Sequence, residues 1–108
     1  MKESSTYRPL SKSLTIKESS IHGLGLFASE DISSGTNLGV SHIRLTNCEM
    51  IRTPLGGFYN HSENPNCEKR EINFRYDKSI ECEYEIVSLV NIKKGEEITV
   101  EYTLYNIL

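Results

Sequence analysis

Apolar and polar residues alternate over short runs in this chain, and glycines punctuate the gaps between them. SLTIKES (13–19) sets Leu14 and Ile16 among polar neighbours, which predicts a short strand. HGLGLFA (22–28) places two glycines around a tight turn leading into an apolar strand. After a turn at Gly35, a further strand is predicted over 37–43. The clearest pattern comes later. Ile72, Phe74 and Tyr76 alternate with polar residues, Asp77-Lys78-Ser79 turns the chain, and Ile80, Cys82, Tyr84 and Ile86 alternate again, so a hairpin is predicted. NIKKGEE (91–97) is a polar turn centred on Gly95, followed by a last strand, ITVEY (98–102). LTNCEMIRT (45–53) is compatible with one helical turn, capped by Thr46 or Asn47 and ended by Pro54 and Gly56-Gly57. Short strands joined by glycine turns predict a mainly β chain. Residues 1–12, polar and carrying Pro9, read as a loose arm, and 13–108 as a single domain.

Composition narrows this picture. At 108 residues, with 37% hydrophobic and 25% charged residues, the chain is expected to be globular rather than disordered. A net charge of −3 gives no electrostatic reason to bind nucleic acid and suits a basic or weakly polar partner. No apolar run has the length of a membrane span, and MKESSTYRPLSKS lacks the apolar core of a signal peptide, so an intracellular, unsecreted protein is expected. Cys48, Cys67 and Cys82 show no C-x-x-C spacing and predict neither a zinc site nor a disulfide framework; they read as small buried thiols. Glu81, Glu83 and Glu85 fall on one side of the predicted hairpin, either as a solvated face or as a docking surface for a basic peptide.

FYNHSENPN (58–66) admits three readings: a glycosylation acceptor at Asn60-His61-Ser62, a polar turn shaped by Pro65, or the floor of a binding site. Without a secretion signal the first is set aside. GLG (23–25) alone is a turn, lacking the third glycine and following helix of a dinucleotide fingerprint. GEEITVEY (95–102) alone is a turn and a strand.

Together and in this order, H-G-L-G-L-F-A, N-H-S-E-N-P-N and G-E-E-I-T-V-E-Y resemble the landmarks of the SET-domain protein-lysine methyltransferases, over about Leu14 to Tyr105. The resemblance implies a β-clip fold of several small curved sheets, with a C-terminal pseudoknot that brings the last two motifs together. It implies S-adenosylmethionine as cofactor and methyl transfer to a lysine of a protein substrate, such as a basic peptide or tail. Cofactor and lysine would enter from opposite faces joined by a narrow channel, which orients the reactants and excludes water.

Residue roles follow from the same resemblance. The turn Gly23-Leu24-Gly25 would let backbone approach the cofactor's methionine moiety, Asn60 would hydrogen-bond its amino-acid end, and His61 would meet the adenine through its backbone. Tyr102 is the implied catalytic residue, orienting the amine beside the transferring methyl group. Tyr105 either lines the lysine channel or packs as an aromatic, and Glu96 and Glu97 are read as structural, with Pro65 and Asn66 fixing their loop. The sequence departs from the family pattern in three places. The stretch 26–59 is short where the family carries a larger wall of the substrate groove, Gly57 stands where many members have arginine, and Glu63 replaces a zinc-binding cysteine. No zinc is therefore expected. The channel would be closed by Tyr105, Ile107 and Leu108 or by a second subunit, hence a possible homodimer. A non-catalytic binding module on the same fold is the alternative function.

Overall fold

The computed structural model describes residues 10–73 and 78–101. They form β1 (Leu14–Glu18), β2 (Leu24–Ala28), β3 (Asn37–Leu45), β4 (Met50–Arg52), α1 (Pro54–Phe58), β5 (Asn60–His61), β6 (Cys67–Asn73), β7 (Ile80–Ser88) and β8 (Thr99–Val100). The chain is mainly β, as its alternation predicts. β1 and β2 make an antiparallel pair, with Leu14 opposite Ala28. The remaining strands make one sheet in the order β4-β3-β7-β6-β8-β5. Leu10 packs against the core.

The strand order carries the main topological point. β5 and β6 are consecutive in the chain, yet β8 lies between them and runs parallel to both, with Asn60 opposite Thr99 and Cys67 opposite Val100. The connection 62–66 therefore bridges over the C-terminal segment, a threaded arrangement that most folds avoid. Asn66 fastens it: its Nδ2 donates to the Glu97 carbonyl at 2.8 Å, and its Oδ1 accepts from the Thr99 amide at 2.9 Å. Just upstream, the segment holding Glu96 to Ile98 bonds to the first sheet, since the Ala28 amide donates to Glu96 O (2.9 Å) and the Ile98 amide to Leu26 O (2.7 Å). One short stretch thus ties the two sheets together. The core lies where they meet, and Leu26, Ile86, Ile98 and Val100 are fully buried there.

Two turns of like sequence, DISSG and NIKKG, also clasp one another. Ile32 and Ile92 exchange backbone hydrogen bonds of 2.7 Å. Asp31 Oδ1 accepts from the Lys94 amide at 2.9 Å, and Asn91 Oδ1 from the Ser34 amide at 2.8 Å. Each turn caps the other.

Two expectations change. The stretch 45–53 holds no helical turn; it is the β3–β4 turn followed by β4 itself. The helix begins at Pro54, where a helix-breaking role was expected. Thr53 caps it, accepting from the Gly56 amide at 3.3 Å, and proline at the first helical position sacrifices no hydrogen bond. Gly56 is required because a Cβ there would overlap the Ser41 carbonyl, so the helix can lie directly on β3.

The hairpin exists as β6–β7, but its register is not the one that matching the two apolar rows would suggest. Ile72 is opposite Glu83, whereas Lys69 is opposite Ile86 and Glu71 opposite Tyr84. Paired residues in an antiparallel ladder share a face. Ile72 therefore joins the glutamate face, where Ile43 also stands opposite Glu83. Lys69 is carried onto the buried face with Ile86. Phe74 and Tyr76 lie outside the described residues.

Candidate active site

Glu97 is the point at which the separated motifs meet. Its carboxylate accepts from the Ser19 hydroxyl (2.7 Å to Oε2) and from Asn60 Nδ2 (2.7 Å). Ser19 Oγ in turn accepts from the Ile21 amide at 2.9 Å, shaping the turn into the GLG motif. A Cβ on Gly25 would overlap the Glu97 carboxylate and stand 2.9 Å from Ser19 Cβ. Gly25 is therefore bare for the sake of this carboxylate. Gly23 is different: its φ of +48° is left-handed, and a Cβ there would meet nothing within 4 Å.

These contacts frame a cavity of about 520 Å³ lined by Gly23, Leu24, Gly57, Phe58, Tyr59 and Asn60, with His22 at its edge. Asn60 is oriented unambiguously. Its Nδ2 faces Glu97 Oε2 and the His22 carbonyl (3.2 Å), both of which can only accept, so the amide nitrogen must point inward. The amide hydrogens are spent on the protein, and Oδ1 is the atom this side chain can offer to a ligand.

The second feature is the buried face of the large sheet behind Tyr59. Lys69 Nζ is sealed from solvent and has no hydrogen-bond acceptor among the described residues. It lies 5.2 Å from the centroid of the Tyr59 ring. Burial pulls its pKa down to about 8. His42, on β3, is pulled down to about 4, first by burial and then by the charges of Lys69 and Arg52. Its Nδ1 is 3.0 Å from Ser41 Oγ. Tyr84, between them on β7, is pushed up to about 12, chiefly by burial and by its contact with Cys82.

The sequence-predicted residues divide as follows. Gly23, Leu24 and Asn60 line the cavity. Gly25 stands behind it against Glu97. His61 is exposed on β5, opposite Val100. Tyr102 and Tyr105 lie outside the described residues. Glu96 serves its own turn, accepting from the Lys93 amide at 2.7 Å. Cys67 and Cys82 are buried but Cys48 is exposed, in part against the expectation of buried thiols. Among the described residues no group of three or more His, Cys, Asp or Glu side chains converges as a metal site, and no helix is long and apolar enough to cross a membrane. Sequence reasoning missed Ser19 and Lys69, and read Glu97 as structural, pairing or capping near its turn, without naming Asn60 as its partner. Nothing in the local pattern distinguishes Glu97 from Glu96. Lys69 could have been found only by fixing the hairpin register.

Comparison with known proteins places these observations. A family model described as the SET domain matches residues 47–103. Across 93% of its length the chain is 30% identical to histone-lysine N-methyltransferase 2D of Homo sapiens, and equally to that of Mus musculus, and it spans 2% of the length of each. Among solved structures, the fold is similar to a Plasmodium falciparum protein described as a histone methyltransferase, with a TM-score of 0.70, 23% identity, and 85% of this chain and 94% of that chain covered. It is also similar to a humanized mutant of the Chaetomium thermophilum Polycomb Repressive Complex 2 bound to an inhibitor, with a TM-score of 0.67, 20% identity, and 85% and 15% covered. A ctPRC2 structure in an autoinhibited conformation bound to S-adenosylmethionine gives a TM-score of 0.68 at 18% identity, with the same coverage. The likenesses to solved structures are likenesses of fold.

Proposed function

Because this chain belongs to the SET-domain family, we propose that it transfers a methyl group from S-adenosylmethionine to the side-chain amine of a lysine in a protein. The observation that carries this reading is the convergence of Ser19, Gly25 and Glu97 behind Asn60, which lines the cavity. The cavity has a volume within the usual range for small-molecule sites, roughly 300–1,000 Å³.

The residues present fit the cofactor. Its zwitterionic amino-acid end requires acceptors and donors, and Asn60 Oδ1 with the backbone of 22–24 supplies them. Phe58, on the same wall, offers an aromatic face to a flat base. Gly23 leaves open space where a side chain would intrude. When bound, the cofactor supplies an electrophilic methyl group on a positively charged sulfur.

The chain's own work is then orientation. Glu97 fixes Asn60 and, with Ser19, the turn before Gly23, so that the wall is rigid before ligand arrives. Tyr102 is assigned the amine-orienting hydroxyl and Tyr105 the channel wall. The acceptor lysine must shed a proton, which desolvation near a positive sulfur favours. A net charge of −3 suits a basic peptide or tail as substrate, and the half-buried Glu83, whose pKa is raised by burial and by Glu85, belongs to the acidic face such a partner would meet. In this reading the protein acts inside the cell, where cofactor and substrate are both present.

Incubation with methyl-labelled cofactor and a lysine-rich protein tests the proposal: labelled lysine is the expected result, and a chain that neither binds cofactor nor labels any lysine overturns it. Tyr102→Phe should remove most transfer while leaving cofactor affinity within about twofold, because the hydroxyl acts on the amine rather than on binding. A second reading, a binding module without catalysis, is favoured by the small size of the wall between β3 and β5, which consists of a three-residue strand and a five-residue helix. Calorimetry separates the two, since peptide binding without cofactor binding supports the module.

A further inference from the structure

One row of side chains crosses four strands of the large sheet. Ile51 on β4 is opposite Ile43 on β3, Ile43 is opposite Glu83 on β7, and Glu83 is opposite Ile72 on β6. Opposite residues share a face, so the row presents two isoleucines, a carboxylate and a third isoleucine, in that order. Ile51 is 45% exposed, and Ile43, Glu83 and Ile72 are half-buried. The row faces away from the cavity. Glu83 alternates with Tyr84 and Ile86, which share the other face with Lys69, and Lys69 lies against Tyr59, a residue of the cavity lining.

The carboxylates on this face are uncompensated. Glu81 and Glu85 flank Glu83 along β7, each about 6.6 Å away on the same side. No lysine or arginine among the described residues pairs with any of the three, and Arg70, opposite Glu85, is engaged by Glu68 at 2.6 Å. Partial burial, and then the charge of Glu85, hold the Glu83 carboxyl above its usual range. Like charges gathered on one sheet face oppose one another, and flanking isoleucines deprive the central charge of water. A cation carried in between apolar groups relieves both effects. A second copy of this chain does not, because it would set the same three carboxylates against each other.

The pitch of the row selects the shape of its occupant. Neighbouring strands lie about 4.8 Å apart, which separates Ile43 from Ile72 by about 9.6 Å with Glu83 midway. A helix rises about 1.5 Å per residue, so positions i and i+7 on one helix face stand about 10.5 Å apart, with i+4 about 6 Å along. Ile51, one strand further out, matches i−3, about 4.5 Å back along the same face. An extended chain spaces same-face side chains about 6.8 Å apart and runs out of step with the row.

We propose that this row is a docking site for a basic amphipathic helix of a partner protein, with apolar residues at i−3, i and i+7 and a lysine or arginine at i+4 set against Glu83. Docking itself requires no catalysis. Its purpose rests on the methyltransferase reading above: the helix holds the partner on one side of the sheet while a lysine elsewhere in that partner reaches the transfer site. Partner selection and chemistry are then carried by separate surfaces, which suits a chain whose wall between β3 and β5 is only a three-residue strand and a five-residue helix.

Fluorescence anisotropy with the full chain tests the docking, using a labelled helical peptide with leucine at i−3, i and i+7 and lysine at i+4. The controls are the same residues in scrambled order and the same helix with glutamate in place of that lysine. The first peptide should bind at least about tenfold tighter than either control, and Glu83→Gln and Ile51→Thr should each weaken it about five- to tenfold. Threonine keeps the branching that suits a strand, and Glu83→Gln thins a run of like charges, so both variants should keep the unfolding midpoint. Equal binding of the scrambled peptide, or undiminished binding by both variants, overturns the proposal. A chain that is dimeric by light scattering and monomeric as Ile51→Thr gives the face to a second copy and overturns it as well. In a methylation assay, a lysine-bearing peptide joined to the helix by a flexible linker should show a KM at least about tenfold below that of the unjoined peptide, at equal kcat. Lysine labelling with no preference for the helix overturns this inference alone. Specific helix binding by a chain that neither binds cofactor nor labels lysine supports the docking site and overturns the methyltransferase reading.

Discussion

Glu97 Oε2 accepts a hydrogen bond from Asn60 Nδ2 at 2.7 Å, joining residues 37 positions apart in the chain. The bond exists because β8 is inserted beside β5, so the end of the GEE turn faces the start of NHSENPN. It makes the cavity wall a product of topology.

Replacing Glu97 with Gln tests how far that wall depends on charge. The neutral amide keeps the shape but weakens the bonds from Ser19 and Asn60 and offers a donor where an acceptor is needed. Charge-assisted bonds of this kind contribute roughly 1.5–3 kcal/mol, so cofactor affinity measured by calorimetry should fall about 10–100-fold. Unchanged affinity would mean that Asn60 is held in place by the backbone alone.

Lys69→Met should stabilise the protein. It replaces a buried cation that has no hydrogen-bond acceptor among the described residues by an apolar chain of similar length, a change on the order of 1–3 kcal/mol in favour of the fold. The folded pKa, about 8, lies below the unfolded value near 10.4, so the unfolded chain holds the proton more tightly. The native chain is penalised fully below pH 8 and regains stability as pH rises from 8 toward 10.4. The advantage of Lys69→Met in denaturant unfolding should therefore be largest at or below pH 8 and shrink above it.

His42 gives the corresponding effect in acid. It is neutral in the fold with a pKa of about 4, whereas the unfolded side chain titrates near 6.5. The unfolded state binds more protons between these values, so stability is retained above about 6.5 and lost as pH falls through that window toward 4. Unfolding midpoints measured at half-unit steps should drop over this range, and His42→Gln should flatten the drop.

Cys48 occupies a left-handed conformation, with φ of 76°, in the turn between β3 and β4. A side chain costs about 1 kcal/mol there, and glycine does not bear that cost. Cys48→Gly should raise stability by roughly 0.5–1 kcal/mol in thermal or denaturant unfolding, without altering cofactor binding. The residue is exposed and does not line the cavity.

Most of the strand pattern was legible because a half-buried strand writes its two faces into alternating residues. β7 follows that signal, with Cys82, Tyr84 and Ile86 buried between its glutamates, whereas β1, β2 and β3 lie where short apolar runs place them but do not bury alternate residues. The helix was misplaced because proline and glycine pairs usually end helices, and here Thr53 converts Pro54 into a starting residue while Gly56 answers a backbone contact with Ser41. That contact is invisible from the local sequence. The cavity residues Gly23, Leu24 and Asn60 were identified by motif, but the reason for Gly25 was not, since the carboxylate filling its place comes from the far end of the chain.

The sequence alone determined a mainly β chain, the family to which its three motifs belong, and three residues, Gly23, Leu24 and Asn60, that line one cavity. Tertiary structure alone decided which side of the sheet each hairpin residue takes and which distant residues share the wall. Alternation has a period of two and is unaware of its partner strand, so a register differing by one residue turns Lys69 inward and Ile72 outward. Threading of β8 between β5 and β6 likewise depends on hydrogen bonds between segments that no local pattern connects. Those two choices create the Glu97–Asn60 bond and the buried Lys69 amine.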